Sequence, residues 1–206
     1  MSTSRTYRSE LREQQAERTR QLIATAARAR FLEGGWSGTS VRSVAQDAGV
    51  SEATVYSVYG SKAGLASSLL DAAEQSADVR RTVAELQEHA GNPVEQLRAF
   101  VAFDRRLFEL GGDVIRVLAE ARRQHPELGA AYVEGRARGE SERAKVFGSW
   151  PADAWRAGMD LATAQDTYAL LVSVENYTIA IDERGWKPER VEAWWHATLV
   201  ELLLAP

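Results

Sequence analysis

Residues 41–60, VRSVAQDAGVSEATVYSVYG, constrain the fold more than any other stretch of this chain. Val41, Val44 and Ala45 fall on one face of a short helix, and Val50, Val55 and Val58 on one face of a second, with Gly49 between them. Two short helices crossing steeply over a tight turn make a helix-turn-helix. The crossing needs a small residue on the first helix, here Ala45. The turn favours glycine, because a left-handed backbone costs it nothing. Thr39 or Ser40 is placed to cap the first helix and Ser51 the second. The second helix then turns Glu52, Ala53, Thr54 and Ser57 outward, free to meet base edges in a major groove. Any αα-hairpin with a glycine turn shares the spacing of alanine, glycine and valine, so the neighbouring residues have to decide.

Those neighbours point toward a polyanion. The net charge of the 206-residue chain is −4, but it is unevenly spread. Residues 1–62 hold nine Arg and Lys against six acids, a net +3, and the other 144 hold 16 bases against 23 acids, a net −7. A basic head on an acidic body suggests that one end meets nucleic acid. Arg5, Arg8, Arg12 and Arg18 form a basic N-terminal arm and first helix, and Arg42 lies on the first short helix. Tyr56 and Tyr59 flank the groove-facing side, where a phenol hydroxyl reaches phosphate. Lys62 opens the next helix, whose N-terminus itself favours a phosphate oxygen.

The rest reads as helix after helix. Leu22, Ile23, Ala26, Ala27 and Phe31 make one helical face, stopped by Gly34-Gly35. Ser61 caps a fourth helix from Lys62 to about Arg81. Asn92-Pro93 starts another, with proline in its first turn, and Gly111-Gly112 is expected to separate it from a helix at 113–123. Pro126 opens the next. A loop is expected at 147–153, an apolar helix over 163–182, and a last helix over 188–204. No period-2 run of useful length interrupts this pattern. The expected fold is all-α with about nine helices, a DNA-binding unit at 1–62 and a helical body at 63–206.

The run Arg20-Gln21-Leu22-Ile23-Ala24-Thr25-Ala26-Ala27, then Phe31, Gly35-Trp36, Thr39-Ser40-Val41-Arg42-Ser43-Val44-Ala45, Ala48-Gly49-Val50-Ser51, Thr54-Val55-Tyr56, Tyr59, Ser61-Lys62 and Leu65 resembles the N-terminal domain of TetR-like (tetracycline-repressor-type) transcriptional regulators. It covers about 50 residues, near one quarter of the chain. Tyr59 stands where that family most often has phenylalanine, and Val44 where isoleucine is common; neither threatens the fold. The resemblance implies a cytoplasmic homodimer that regulates transcription. Its N-terminal helices would bind a double-stranded DNA operator, and its C-terminal helices would hold a small-molecule effector and the dimer interface. The DNA-contacting set it implies is Thr39, Ser40, Arg42, Ser51, Glu52, Ala53, Thr54, Tyr56, Ser57, Tyr59 and Lys62. The expected action is that of a repressor released from a palindromic site by its effector. An activator, or a regulator that senses another protein, fits the same residues.

The C-terminal three quarters match only in plan. The apolar segment 168–181 and the stripe after Pro188 offer a dimer interface at Leu170, Val174, Tyr177, Ile181, Val191, Trp194, Trp195, Thr198 and Leu202. The same residues would equally fill a monomer core. Phe100, Phe103, Leu107, Tyr132, Trp155 and Tyr168, with the embedded polar Asp104, Glu175 and Asn176, offer an apolar or aromatic effector pocket. Aromatic stripes at helical spacing are also ordinary core.

Several classes are disfavoured. The chain has no cysteine, so disulfides, Cys-ligated metals and thiol catalysis are excluded. His89, His125 and His196 are scattered and form no metal-binding pair, and no cofactor is expected. No GxSxG, P-loop or GxGxxG motif suggests an enzyme. Glu140 and Glu142 lie among arginines and read as solvated helix surface. No apolar N-terminal segment resembles a secretory signal, and no run reaches bilayer length.

Overall fold

The computed structural model describes residues 3–122 and 125–206. The described residues form ten α-helical segments: α1 (Thr3–Gly38), α2 (Val41–Asp47), α3 (Glu52–Tyr59), α4 (Lys62–Ser76), α5 (Val79–Glu88), α6 (Pro93–Ala121), α7 (Pro126–Gly148), α8 (Leu161–Leu171), α9 (Val174–Thr178) and α10 (Pro188–Leu203). A 3₁₀ turn at Ala152–Ala154 and a π-helical turn at Ile179–Glu183 complete them. The all-α expectation holds, and an isolated bridge between Trp155 and Leu204 is the nearest approach to β-structure among the described residues.

Helix ends follow the sequence where a cap was legible. Ser40 caps α2 in a reciprocal box with Ser43: the Ser43 N–H donates to the Ser40 hydroxyl at 3.0 Å, and the Ser40 N–H to the Ser43 hydroxyl at 3.1 Å. Ser51 and Ser61 cap α3 and α4, accepting from the N–H groups of Thr54 and Gly64. Gly35 leaves the helical region at φ 62°, where the glycine pair was expected to stop the first helix.

Three boundaries differ from expectation. The fourth helix ends at Ser76, because Asp78 adopts a left-handed backbone (φ 61°) and its carboxylate caps α5 through the Arg81 N–H. The apolar stretch 163–182 is broken at Val172-Ser173, where Ser173 caps α9. Conversely, α6 runs straight through Gly111-Gly112. A Cβ on Gly111 would collide with the Cβ of Ala73 in α4, and one on Gly112 would lie 3.3 Å from Val174. These glycines admit neighbouring helices to the α6 backbone; they do not end it.

Two apolar cores result. The first gathers Ile23, Ala27, Phe31 and Trp36 of α1, Val44 and Ala45 of α2, Val55 of α3 and Leu65 of α4, and is closed by Val114 and Leu118 from the C-terminal half of α6. The second gathers Leu97, Phe100 and Val101 of α6, Phe147, Tyr168, Trp195, Leu199 and Leu203. Helix α6 therefore serves both. Arg28 of α1 clamps the junction, its guanidinium meeting the Asp113 carboxylate at 2.8 to 3.0 Å and the Leu110 carbonyl at 2.7 Å. Among the described residues no helix is long and apolar enough to cross a membrane.

Candidate nucleic-acid interface

The turn between α2 and α3 is built as the spacing predicts. Gly49 sits at φ 67°, and the Val50 N–H donates back to the Ala45 carbonyl at 2.9 Å. Val44, Ala45 and Val55 are buried between the two helices. Val50 is only partly buried, and Val58, expected as a third inner anchor, is 38% exposed. With the inner face spent on Val55, α3 presents Glu52, Ala53, Tyr56 and Ser57 to solvent. Tyr56 is half exposed. Thr54 is half-buried, its hydroxyl 2.8 Å from that of the capping Ser51. At the start of α2, Ser40 and Arg42 are exposed as well.

Three of the residues expected at DNA are committed inside the domain. Thr39 is buried, and its hydroxyl is within 2.8 Å of both the Arg30 and the Gly35 carbonyls, satisfying the frayed end of α1. Tyr59 is half-buried, and its hydroxyl donates to the Arg20 carbonyl at 3.1 Å; that burial raises its pKa. Lys62 turns inward: its ammonium donates to the Trp36 carbonyl and lies 4.1 Å from the centre of the Trp36 ring. Trp36, which the sequence placed in a mere connection, is the hub. Its ring stacks on Phe31 at 5.5 Å and faces His125 at 6.1 Å. All three corrections share one cause. Packing of the short helices against α1 brings these side chains within reach of its backbone carbonyls, which accept from them.

Of the helix starts around this face, α3 carries Glu52 in its first turn and α4 is open to a phosphate. The first turn of α4 holds no acidic residue and is capped by a neutral serine, so the positive end of its dipole is not neutralised. On α2, Asp47 is paired with Arg30 at 2.5 Å. That hydrogen bond holds the pKa of the Asp47 carboxyl below the usual range and raises that of the guanidinium. Gly64 was overlooked in the sequence. A Cβ there would collide with the Tyr59 carbonyl, so the α3–α4 corner closes only around glycine. The side chains of Arg5 and Arg8 lie outside the described residues; Arg12 and Arg18 are exposed on α1.

In the body, Phe100, Asp104 and Tyr168 come together as expected. The Tyr168 hydroxyl donates to Asp104 Oδ2 at 2.7 Å, and the Phe100 and Tyr168 rings meet edge to face at 6.4 Å. Phe103 and Leu107 are half-buried on α6. Trp155 packs on Trp150 at 4.9 Å, one side of an aromatic cluster centred on Phe147. Tyr132 is buried apart from these, under the Arg122 guanidinium. Glu175 is exposed, and Asn176 is occupied in donating to the Leu170 and Leu171 carbonyls at the end of α8, so neither lines a pocket. Arg143, read within a solvated stretch, is the residue sequence reasoning missed. It lies 3.8 Å from Asp104 and stacks over the Tyr168 ring at 4.6 Å. Its position four residues before Phe147, on the inner face of α7, was the available signal.

The residues expected at a dimer interface divide. Val174, Tyr177, Val191 and Trp195 are buried within one chain: Tyr177, Val191 and Trp195 close the second core, and Val174 packs over Gly112 of α6. Leu170 (77% exposed), Trp194 and Leu202 remain open, and Ile181 and Thr198 are half-buried. Glu140 and Glu142 pair with Arg136 and Lys145, as solvated helix surface does. The His196 ring lies 3.0 Å from the Val94 carbonyl, and among the described residues no cluster of His, Cys, Asp or Glu could hold a metal ion.

A basic-headed, all-helical chain with an exposed second helix beyond a glycine turn has the build of a helix-turn-helix protein. Residues 23–75 match the family described as bacterial regulatory proteins, tetR family. No curated protein matches the chain in sequence. Solved structures are similar over nearly the whole chain. NalD, the secondary repressor of the MexAB-OprM multidrug efflux pump in Pseudomonas aeruginosa, is 22% identical with a TM-score of 0.68, covering 91% of this chain and 98% of its own. PfmR, a TetR-family transcriptional regulator from Thermus thermophilus, is 22% identical with a TM-score of 0.60, covering 89% and 99%. A Saccharomonospora viridis regulator in complex with choline is 18% identical with a TM-score of 0.68, covering 91% and 98%. These likenesses are of fold. The family match is confined to the segment that holds the helix-turn-helix, and the chain as a whole shares the fold of TetR-family regulators.

Proposed function

We propose that the chain acts as a homodimeric repressor, held on a palindromic operator and released by a small-molecule effector. The observation that carries this reading is the solvent-facing set on α3, Glu52, Ala53, Tyr56 and Ser57, beside the unneutralised N-terminus of α4. In this reading residues 1–62 form the DNA-binding unit and residues 63–206 the effector and dimerisation body. Ser57, Ala53 and Glu52 read base edges, with Thr54 at their margin, while Ser40, Arg42, Ser51 and Tyr56 hold the phosphate backbone. The exposed apolar Leu170, Ile179, Trp194 and Leu202 on the α8–α10 side supply the surface for a second copy. Two copies would set their recognition helices about 34–36 Å apart, one turn of DNA. That NalD is a repressor and that the S. viridis regulator holds choline both accord with this reading.

The test is selection of random duplexes by the purified protein, followed by a salt titration. A repressor of this design enriches a palindrome and binds it with steep salt dependence. Arg42→Ala lowers the slope of log K against log salt by about one unit, and Ser57→Ala changes base preference. Enrichment of an asymmetric single half-site would remove the dimeric reading.

A further inference from the structure

We propose that the buried Asp104–Tyr168 pair is the binding site for an organic cation, a place now filled by the chain's own Arg143 guanidinium. This rests on the effector-released reading above and names its ligand class. The pair lies inside the second core, with both side chains buried and joined by the 2.7 Å hydrogen bond. The walls are ring faces and edges: Phe100 meets Tyr168 at 6.4 Å, and Phe147 meets both Phe100 and Tyr168 at 6.1 Å. A carboxylate among aromatic rings attracts a cation and repels an anion, since ring faces carry negative potential.

Arg143 shows both halves of that recognition. Its guanidinium stacks 4.6 Å from the Tyr168 centroid and stands 3.8 Å from Asp104 Oδ2. The fit is loose. The charge contact exceeds hydrogen-bond length, while Tyr168 holds the short bond to the same oxygen. Arg143 reaches the site over Gly139, one helical turn earlier, where a Cβ would stand 3.3 Å from the guanidinium. Its neighbours Glu142 and Lys145 are exposed, so a displaced Arg143 swings directly into water. Burial raises the pKa of the Asp104 carboxyl, while the Arg143 charge and the Tyr168 hydrogen bond pull it down, so a cation beside it favours the charged form. A ligand with an amidinium, guanidinium or ammonium head on an apolar body can take that place. Five residues from Arg143 on α7, Arg138 lies 3.5 and 3.4 Å from Asp71 and Glu74 of α4. The helix that carries Arg143 therefore also touches the helix that follows the recognition helix.

The test uses benzamidine as the cationic probe and benzamide as its neutral counterpart, titrated calorimetrically into the intact protein without DNA. Benzamidine is expected to bind at least tenfold tighter than benzamide. Asp104→Asn, which keeps an acceptor for Tyr168, should weaken benzamidine at least tenfold. Arg143→Ala, which removes the internal competitor, should strengthen it by a similar factor and show a lowered melting temperature that benzamidine, not benzamide, restores. That rescue keeps the test decisive should Asp104→Asn fail to fold. Equal binding of the two probes, or no gain in Arg143→Ala, overturns the site whatever the protein does on DNA. Benzamidine binding that leaves the selected DNA bound supports the site and overturns effector release instead.

Discussion

Gly49 and Gly64 show two different reasons for glycine within sixteen residues. Gly49 has open space around its missing side chain but a backbone at φ 67°. Gly49→Ala is therefore expected to cost about 1–2 kcal/mol, the strain of an L-residue in the left-handed region, read from urea unfolding. Gly64 has ordinary torsions but no room, with the Tyr59 carbonyl standing where a Cβ would sit. Gly64→Ala must open the α3–α4 corner, at about 1–3 kcal/mol by analogy with overpacking, and should reduce DNA affinity as well as stability. An alanine at 64 that left both untouched would contradict the corner geometry. Lys62 belongs with these residues. Engaged with the Trp36 carbonyl and ring, it is a strut of the first core, and Lys62→Met should lower the melting temperature more than Arg42→Ala does.

Among the helices, α6 carries the most consequence. Its C-terminal half closes the first core through Val114 and Leu118, and its N-terminal half carries Phe100 and Asp104 into the other core. The Gly111–Ala73 crossing brings α4 against α6 with almost no spacer. Buried polar pairs fix the elements around it. The Trp150 indole N–H donates to Gln96 Oε1 at 2.7 Å, and the Gln96 amide donates to the Leu86 carbonyl at 3.1 Å. Gln96→Leu strands that indole N–H and should cost about 1–3 kcal/mol, measurable by chemical denaturation. The α9 segment brings its own test. Burial, with the Glu109 charge, pushes the Tyr177 phenol to about 12. Between its ordinary value of 10.0 and about 12, the unfolded chain ionises this group while the folded chain keeps it neutral. Its stabilising contribution, complete below that window, is thus lost as pH rises through it. Tyr177→Phe should flatten the alkaline fall in stability there; an unchanged slope would place the phenol in water.

Across the whole chain, the two cores share one helix and one clamp, Arg28 with Asp113 and Leu110. Asp113→Asn keeps the shape and removes the charge. It should lower global stability by under about 1 kcal/mol, as a partly exposed pair does, yet raise amide exchange along α1 facing α6. Exchange unchanged there would mean that apolar packing alone docks α1 on α6. The features legible before folding were local and periodic. The serine caps, the Gly49 turn, the burial of Val44 and Val55, the all-α class and the helix-turn-helix itself are properties of residues a few positions apart, set by helical spacing and backbone torsion. Packing settled whatever depends on a partner far along the chain. Gly111-Gly112 read as a stop because glycine is a poor helix former, but Ala73 and Val174 made the pair a close crossing. Tyr59, Lys62 and Thr39 had phosphate-binding chemistry, and the carbonyls of α1 claimed them first. Arg143 looked like solvated surface until folding set it beside Asp104, 39 residues away. A side chain's chemistry is legible in a sequence; which of its possible partners arrives beside it is settled only when the helices pack.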